Sequence, residues 1–192
     1  GDTTRGPLNI TITMIGVVEK SKVIKRSAAQ IGDNIYVSGE IGDAALCLKK
    51  IIEGEKPDKA EMIKLNRPIP RLKLGSALKG IASSCIDISD GLEQDLSHII
   101  RASQVGAIID VQKLPLSQSM VKYIEGSDDW SFTLCGGDDY ELCFTASENL
   151  NSEIINIAKI CKIRITKIGV ISDSRTLKIK GYDGQSKSYQ HF

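Results

Sequence analysis

Cys85-Ile86-Asp87-Ile88-Ser89-Asp90-Gly91-Leu92-Glu93-Gln94-Asp95-Leu96 is the stretch whose reading decides the fold class. Cys85 to Ile88 is a short apolar run broken by one acid, which reads as a strand. The polar turn Ser89-Asp90-Gly91 follows it. Leu92, Leu96, Ile99 and Ile100 then recur at helical spacing and form one apolar stripe. Asp90 opens that helix, and Asp90 with Glu93 has the spacing of a capping box, with Asp in place of the usual Ser or Thr. A strand that turns directly into an amphipathic helix implies a sheet with helices packed on it.

The rest of the chain repeats the alternation. Asn34 to Ser38, Gly106 to Val111, Tyr140 to Thr145, Ile163 to Ile171 and Leu177 to Ile179 read as strands. Asp43 to Ile52, with Asp43 as cap and Gly54 as stop, reads as a helix, as do Arg71 to Ile81, Ser117 to Ile124 and Leu150 to Ile160. Lys56 to Pro70 is polar and holds three prolines, so loops and at most a short helix are expected. Near the start, Leu8, Ile10, Ile12 and Met14 alternate with Asn9, Thr11 and Thr13, the period of a half-buried strand. A basic segment, Lys20 to Arg26, comes next. The class is α/β (α+β), with helices on a mixed sheet.

Composition removes several functions. The 192 residues carry 25 basic and 24 acidic side chains, so binding to nucleic acid driven by net charge is not expected. No apolar run approaches the ~20 residues of a membrane helix, and no charged leader with a cleavage site is present. The five cysteines include no CxxC pair and suit buried thiols in a reducing cytoplasm. With only His98 and His191, any metal falls mainly to carboxylates.

Three polar clusters sit at element edges: Gly1-Asp2-Thr3-Thr4-Arg5-Gly6-Pro7, Asp87-Ile88-Ser89-Asp90-Gly91, and Gly136-Gly137-Asp138-Asp139-Tyr140-Glu141. In the second, two carboxylates flank a strand-to-helix turn, and the helix directs its positive dipole end at whatever binds there. Mg²⁺ prefers a few carboxylates plus phosphate oxygens and water, so a metal–phosphate pair suits the turn. Helix capping by Ser89 or Asp90 explains the same spacing. The third cluster permits close backbone approach to a ligand, or is a Gly-Gly turn into a strand with solvated acids. In the first, Asp2 and Arg5 suit metal and phosphate, or a surface ion pair. There is no GxxxxGK[ST] loop, no GxGxxG after a strand and no HRDxxxxN signature, so a nucleotide would bind through carboxylate-held metal.

In this order the clusters resemble the thiamine-monophosphate kinase family. Gly1 to Leu8 is similar to the family's GGDTTRGPL segment without its first Gly. Asp87-Ile-Ser-Asp-Gly-Leu followed by Asp95-Leu-Ser-His-Ile resembles its helix start, and Gly136 to Thr145 resembles GGEDYELCFT. The close, Tyr189-Gln190-His191-Phe192, is also similar. The resemblance implies a PurM-like C-terminal domain over residues 23–192. It also implies that residues 1–22 are a remnant of an N-terminal ATP-binding and dimerisation domain, with Leu8 to Val18 holding a strand of its sheet. The implied reaction is transfer of the γ-phosphoryl of ATP to thiamine monophosphate, with Mg²⁺, in a cytoplasmic homodimer without nucleic-acid or membrane partners. It implies Asp2, Asp87 and Asp90 as metal ligands, and Gly1, Asp2, Arg26 and Ser89 at the nucleotide. Asp138, where the family usually has Glu, and Tyr189 would contact substrate. Because the chain starts inside the first motif, activity from these residues alone is expected to be weak or absent. Two other readings are a sister enzyme of the same ATP-dependent superfamily and a nucleotide-binding module without chemistry.

Overall fold

The structure, a computed structural model, describes residues 10–182. Six strands form one sheet: β1 (Asn34–Ser38), β2 (Ser84–Ile88), β3 (Gly106–Asp110), β4 (Glu141–Ala146), β5 (Ile165–Ser172) and β6 (Leu177–Lys180). Their order across the sheet is β2-β4-β1-β5-β3-β6. The pairs are antiparallel except β3 with β6, which is parallel. The helices are α1 (Asp43–Ile52), α2 (Lys59–Asn66), α3 (Leu72–Ala77), α4 (Leu92–Ser103), α5 (Gln118–Ser127), α6 (Ser131–Cys135) and α7 (Asn151–Cys161).

Alternating side chains divide the interior into two cores. Ile35 and Val37 of β1, Ile86 and Ile88 of β2, and Ala107 and Ile109 of β3 point to one face. There they meet Leu92, Leu96 and Ile99 of α4, Met120 of α5 and Leu134 of α6, which is the predicted stripe of α4 put to use. Tyr36 and Phe144 point to the other face, stacked at 5.2 Å between ring centroids, and pack with Leu74, Leu78, Ile154 and Ile157. β1, central and covered on both faces, is buried at all five positions.

The sequence places these six strands well, and the structure changes four details. The expected strand between Leu8 and Met14 does not form among the described residues. Ile10 to Val18 carry no regular structure, and Ile10, Ile12, Met14, Ile15 and Val17 are exposed. An alternating stripe becomes a strand only against a partner edge, and none of the six strands pairs with it. Asp43 is not the cap of α1: Gly42 is, in a left-handed conformation without a side-chain cap, and Asp43 is buried inside the first turn. The helix expected from Arg71 to Ile81 is the shorter α3, ended by a turn at Leu78 and Gly80. Finally, α6 has only five residues, too few for a periodic signal.

Candidate active site

Antiparallel pairing of β2 with β4 sets Ile88 beside Glu141. The end of one strand therefore lies against the start of the other, and the two acidic clusters that follow and precede them become neighbours. Backbone bonds lock them together. Asp138 N donates to Ser89 O at 3.0 Å, and Tyr140 N donates to Ile88 O at 2.8 Å. Asp138 and Tyr140 both hold left-handed backbone, at φ 67° and 50°, a conformation that costs non-glycine residues energy and persists only when neighbours enforce it.

The turn into α4 is built differently from the capping box its spacing suggests. Gly91 is the N-cap, at φ 110°, and makes no side-chain cap bond. A Cβ there would stand 2.7 Å from the carbonyl carbon of Cys135, so the close approach of the two loops requires glycine. The N–H groups of Ser89 and Asp90 both donate to Asp95 Oδ2, at 2.9 and 3.0 Å, from one turn inside the helix. Burial pushes the Asp95 carboxyl up, against those two bonds, which lower it. Asp95 thus fixes the turn, and neither Ser89 nor Asp90 caps the helix. Asp90 accepts one bond, from Gln94 Nε2 at 3.2 Å. Asp87 is exposed, and its side chain has no hydrogen bond or ion pair with a described residue.

At the outer edge of β2 these groups line an open cleft of about 430 Å³. It is lined by Arg26, Asp87, Ser89, Asp90, Asp95 and His98, together with Cys85 and Ile86 of β2. Arg26 comes from the basic segment. Lys25 bridges Ser84 in parallel, and Ser103 Oγ donates to Arg26 O at 2.9 Å, which ties the segment to the edge strand and to α4. Four residues named from sequence, Arg26, Asp87, Ser89 and Asp90, are therefore brought to one cleft. Asp138 is on the adjoining loop, exposed and hydrogen-bonded by Tyr140 Oη at 3.1 Å, but does not line the cleft. Gly1, Asp2 and Tyr189 lie outside the described residues.

Three aspartates against one arginine leave the cleft short of positive charge, so it suits a cation that carries an anion with it. Among the described residues no three His, Cys, Asp or Glu side chains converge closely enough to hold a metal by themselves. Asp87 and Asp90 fit Mg²⁺, which takes one or two carboxylates and completes its shell with phosphate oxygens and water.

Behind the cleft, the same loop carries residues that sequence reasoning missed. Asp139 turns away from Asp138 and accepts from Gly42 N at 2.7 Å, which ties the loop to the start of α1. Its carboxyl is pushed up to about 8, first by burial, with Asp43 and Glu141 adding repulsion. Glu141 is buried and paired with Arg71, whose Nε donates at 2.7 Å. Ser38 Oγ also donates to Glu141, at 2.5 Å. Asp139, Glu141, Lys64, Arg67 and Arg71 line a separate cavity of about 240 Å³. Run together as Asp-Asp-Tyr-Glu, these acids read alike in sequence, and only the fold separates those facing the cleft side from those facing inward. Asp95 carried a fainter signal: a charge set into the apolar stripe of its helix.

Comparison with known proteins bears on the family and the fold. Residues 30–181 match the family described as AIR synthase related protein, C-terminal domain. A thiamine-monophosphate kinase of Haemophilus influenzae is 45% identical over 177 residues, which cover 90% of this chain and 54% of that protein. The crystal structure of thiamine-monophosphate kinase from Stenotrophomonas maltophilia superposes with a TM-score of 0.80 at 36% identity, over 87% of this chain and 56% of that one. A structure described as AaThiL complexed with AMPPCP and TMP gives a TM-score of 0.75 at 27% identity, over 88% and 54%. The chain thus spans about half the length of the relatives it matches. With the family matched across both cores and both acidic loops, the chain belongs to the AIR synthase related proteins through their C-terminal domain.

Proposed function

We propose that this chain forms part of a thiamine-monophosphate kinase, the part that holds nucleotide and metal at the edge of β2. The observation that carries the reading is the meeting of Arg26, Asp87, Ser89 and Asp90 in one cleft, with both aspartates free of capping duty. The relatives named as thiamine-monophosphate kinases, and the related structure bound to AMPPCP and TMP, support it. The reaction is transfer of the γ-phosphoryl of ATP to the phosphate of thiamine monophosphate. Such a transfer asks little covalent work of the protein and much positioning.

In this reading Asp87 and Asp90 would hold Mg²⁺, which would supply charge neutralisation for the transferring phosphoryl group. Arg26 offsets phosphate charge from the opposite wall. Ser89 touches the nucleotide, and the Asp95 bonds to its backbone and to that of Asp90 keep the turn from rotating. Asp138 meets the thiamine side from the adjoining loop, with a reach one methylene shorter than Glu. Gly1 and Asp2 contribute at the nucleotide and metal, and Tyr189 at the substrate. Residues 23–192 make up the C-terminal domain and residues 1–22 belong to the preceding one. The working enzyme is a cytoplasmic homodimer.

Titration calorimetry with a non-hydrolysable ATP analogue tests the site. Asp87→Asn and Asp90→Asn should each weaken Mg²⁺-dependent binding at least tenfold and leave the fold intact, because neither carboxylate supports the core. Equal affinity in parent and both variants would remove the proposal.

A further inference from the structure

His98 lines the cleft, yet no role in the proposed reaction has been given to it. It sits on α4 at i+3 from Asp95, so the two share the helix face turned toward the cleft. Its ring is half-buried. Nδ1 lies 3.2 Å from an Arg101 guanidinium nitrogen, and Arg101 Nε in turn donates to Ser97 O at 3.3 Å. A guanidinium has donors only. Nδ1 must therefore accept, which places the proton of the neutral imidazole on Nε2. The outcome is a histidine held in one tautomer, with a donor left over, on the wall of a cleft whose other charged groups are three carboxylates and one arginine.

We propose that His98 is a further nucleotide contact, donating from Nε2 to an oxygen of the bound triphosphate, and that Arg101 is the positioning residue that fixes its tautomer. The assignment rests on the reading of the cleft as a nucleotide site. It divides the cleft into two ends. Asp87 and Asp90 would hold the metal near the start of α4, and His98 with Arg26 would meet phosphate oxygens farther along the helix.

Two measurements on the full chain test it. Long-range ¹⁵N–¹H correlation spectra report which ring nitrogen carries the proton. The chain has two histidines, so His98→Ala assigns the signal. The expected result is an Nε2–H tautomer in the parent that becomes a mixture in Arg101→Met. An Nδ1–H tautomer in the parent overturns the proposal. Binding of the ATP analogue with Mg²⁺ is the second measurement. His98→Ala should bind about tenfold more weakly, and His98→Gln, which keeps an N–H donor, should recover much of the loss. Alanine is well tolerated in a helix, so folding is not at stake. Unchanged affinity in His98→Ala, with the parent binding normally, overturns the role of His98 alone. Failure of the parent to bind the analogue at all overturns the nucleotide reading beneath it.

Discussion

Two Asp-x-x-Glu segments show what a spacing can and cannot reveal at the scale of single residues. Asp90 to Glu93 has the spacing of a capping box and does not form one, because Asp95 already holds the N–H groups of Ser89 and Asp90. Asp58 to Glu61 has the same spacing inside a segment read as mostly loop, and it forms the complete box. Asp58 accepts from Ala60 N and Glu61 N at 2.7 and 2.9 Å, and Glu61 accepts from Asp58 N at 2.9 Å. The pattern is local, but its outcome depends on which neighbour reaches the backbone first. The same dependence separates Asp138 from Asp139. Burial against α1 and repulsion from Asp43 and Glu141 raise the carboxyl of Asp139 from 3.8 to about 8. Glu40, Lys64, Arg67 and Arg71 also face it across the inner cavity. As pH rises from about 4 to 8, the unfolded chain gives up this proton before the folded one does. Asp139 therefore lowers stability across that window, by up to ~1.4 kcal/mol per pH unit. Asp139→Asn keeps an oxygen for Gly42 N but cannot ionise. Urea unfolding at pH 5, 7 and 9 should show a smaller loss of stability toward alkaline pH in the variant than in the parent, and parallel curves would contradict this account.

At the scale of elements, periodicity located all six strands, because each fills a core from one or both faces. It also located α4, whose apolar stripe at 92, 96, 99 and 100 matches what the fold buries. What it could not supply is the contact between elements that makes the site. The register of β2 on β4 joins two loops about fifty residues apart in sequence, and Gly91 is required both by its φ of 110° and by Cys135, which presses on it. Two substitutions separate local from tertiary causes. Asp58→Ala removes one cap from a surface helix and should cost about 1 kcal/mol without changing nucleotide binding. Gly91→Ala combines a disfavoured φ with a backbone collision and should cost about 2 kcal/mol or more. It should also weaken binding of the ATP analogue, since the turn that carries Ser89 and Asp90 must shift. Chemical denaturation and calorimetry on the same samples read both effects.

For the whole molecule, the arrangement explains why a chain of nearly balanced charge carries an acidic site. The acids that matter stand at one edge of the sheet, while four lysines and arginines, Lys159, Lys162, Arg164 and Lys167, line an opening of about 510 Å³ between α7 and β5. A total near zero hides that separation, so composition alone could exclude a basic binding protein but not find the cleft. The two cores and the segment Ile10 to Val18 also look alike in sequence and differ in energetic weight. Phe144 is fully buried between β1, α3 and α7, and stacks on Tyr36. Phe144→Ala should cost about 3–5 kcal/mol, by lost burial and the cavity left behind. Ile12 is 82% exposed and Val17 fully so, with no strand to join among the described residues. Ile12→Ser and Val17→Ser should therefore change the unfolding free energy by less than about 0.5 kcal/mol. Urea midpoints would separate the two cases. If the serine variants lose stability on the scale of Phe144→Ala, the alternating stripe is packed in solution, and the strand expected from its spacing forms after all.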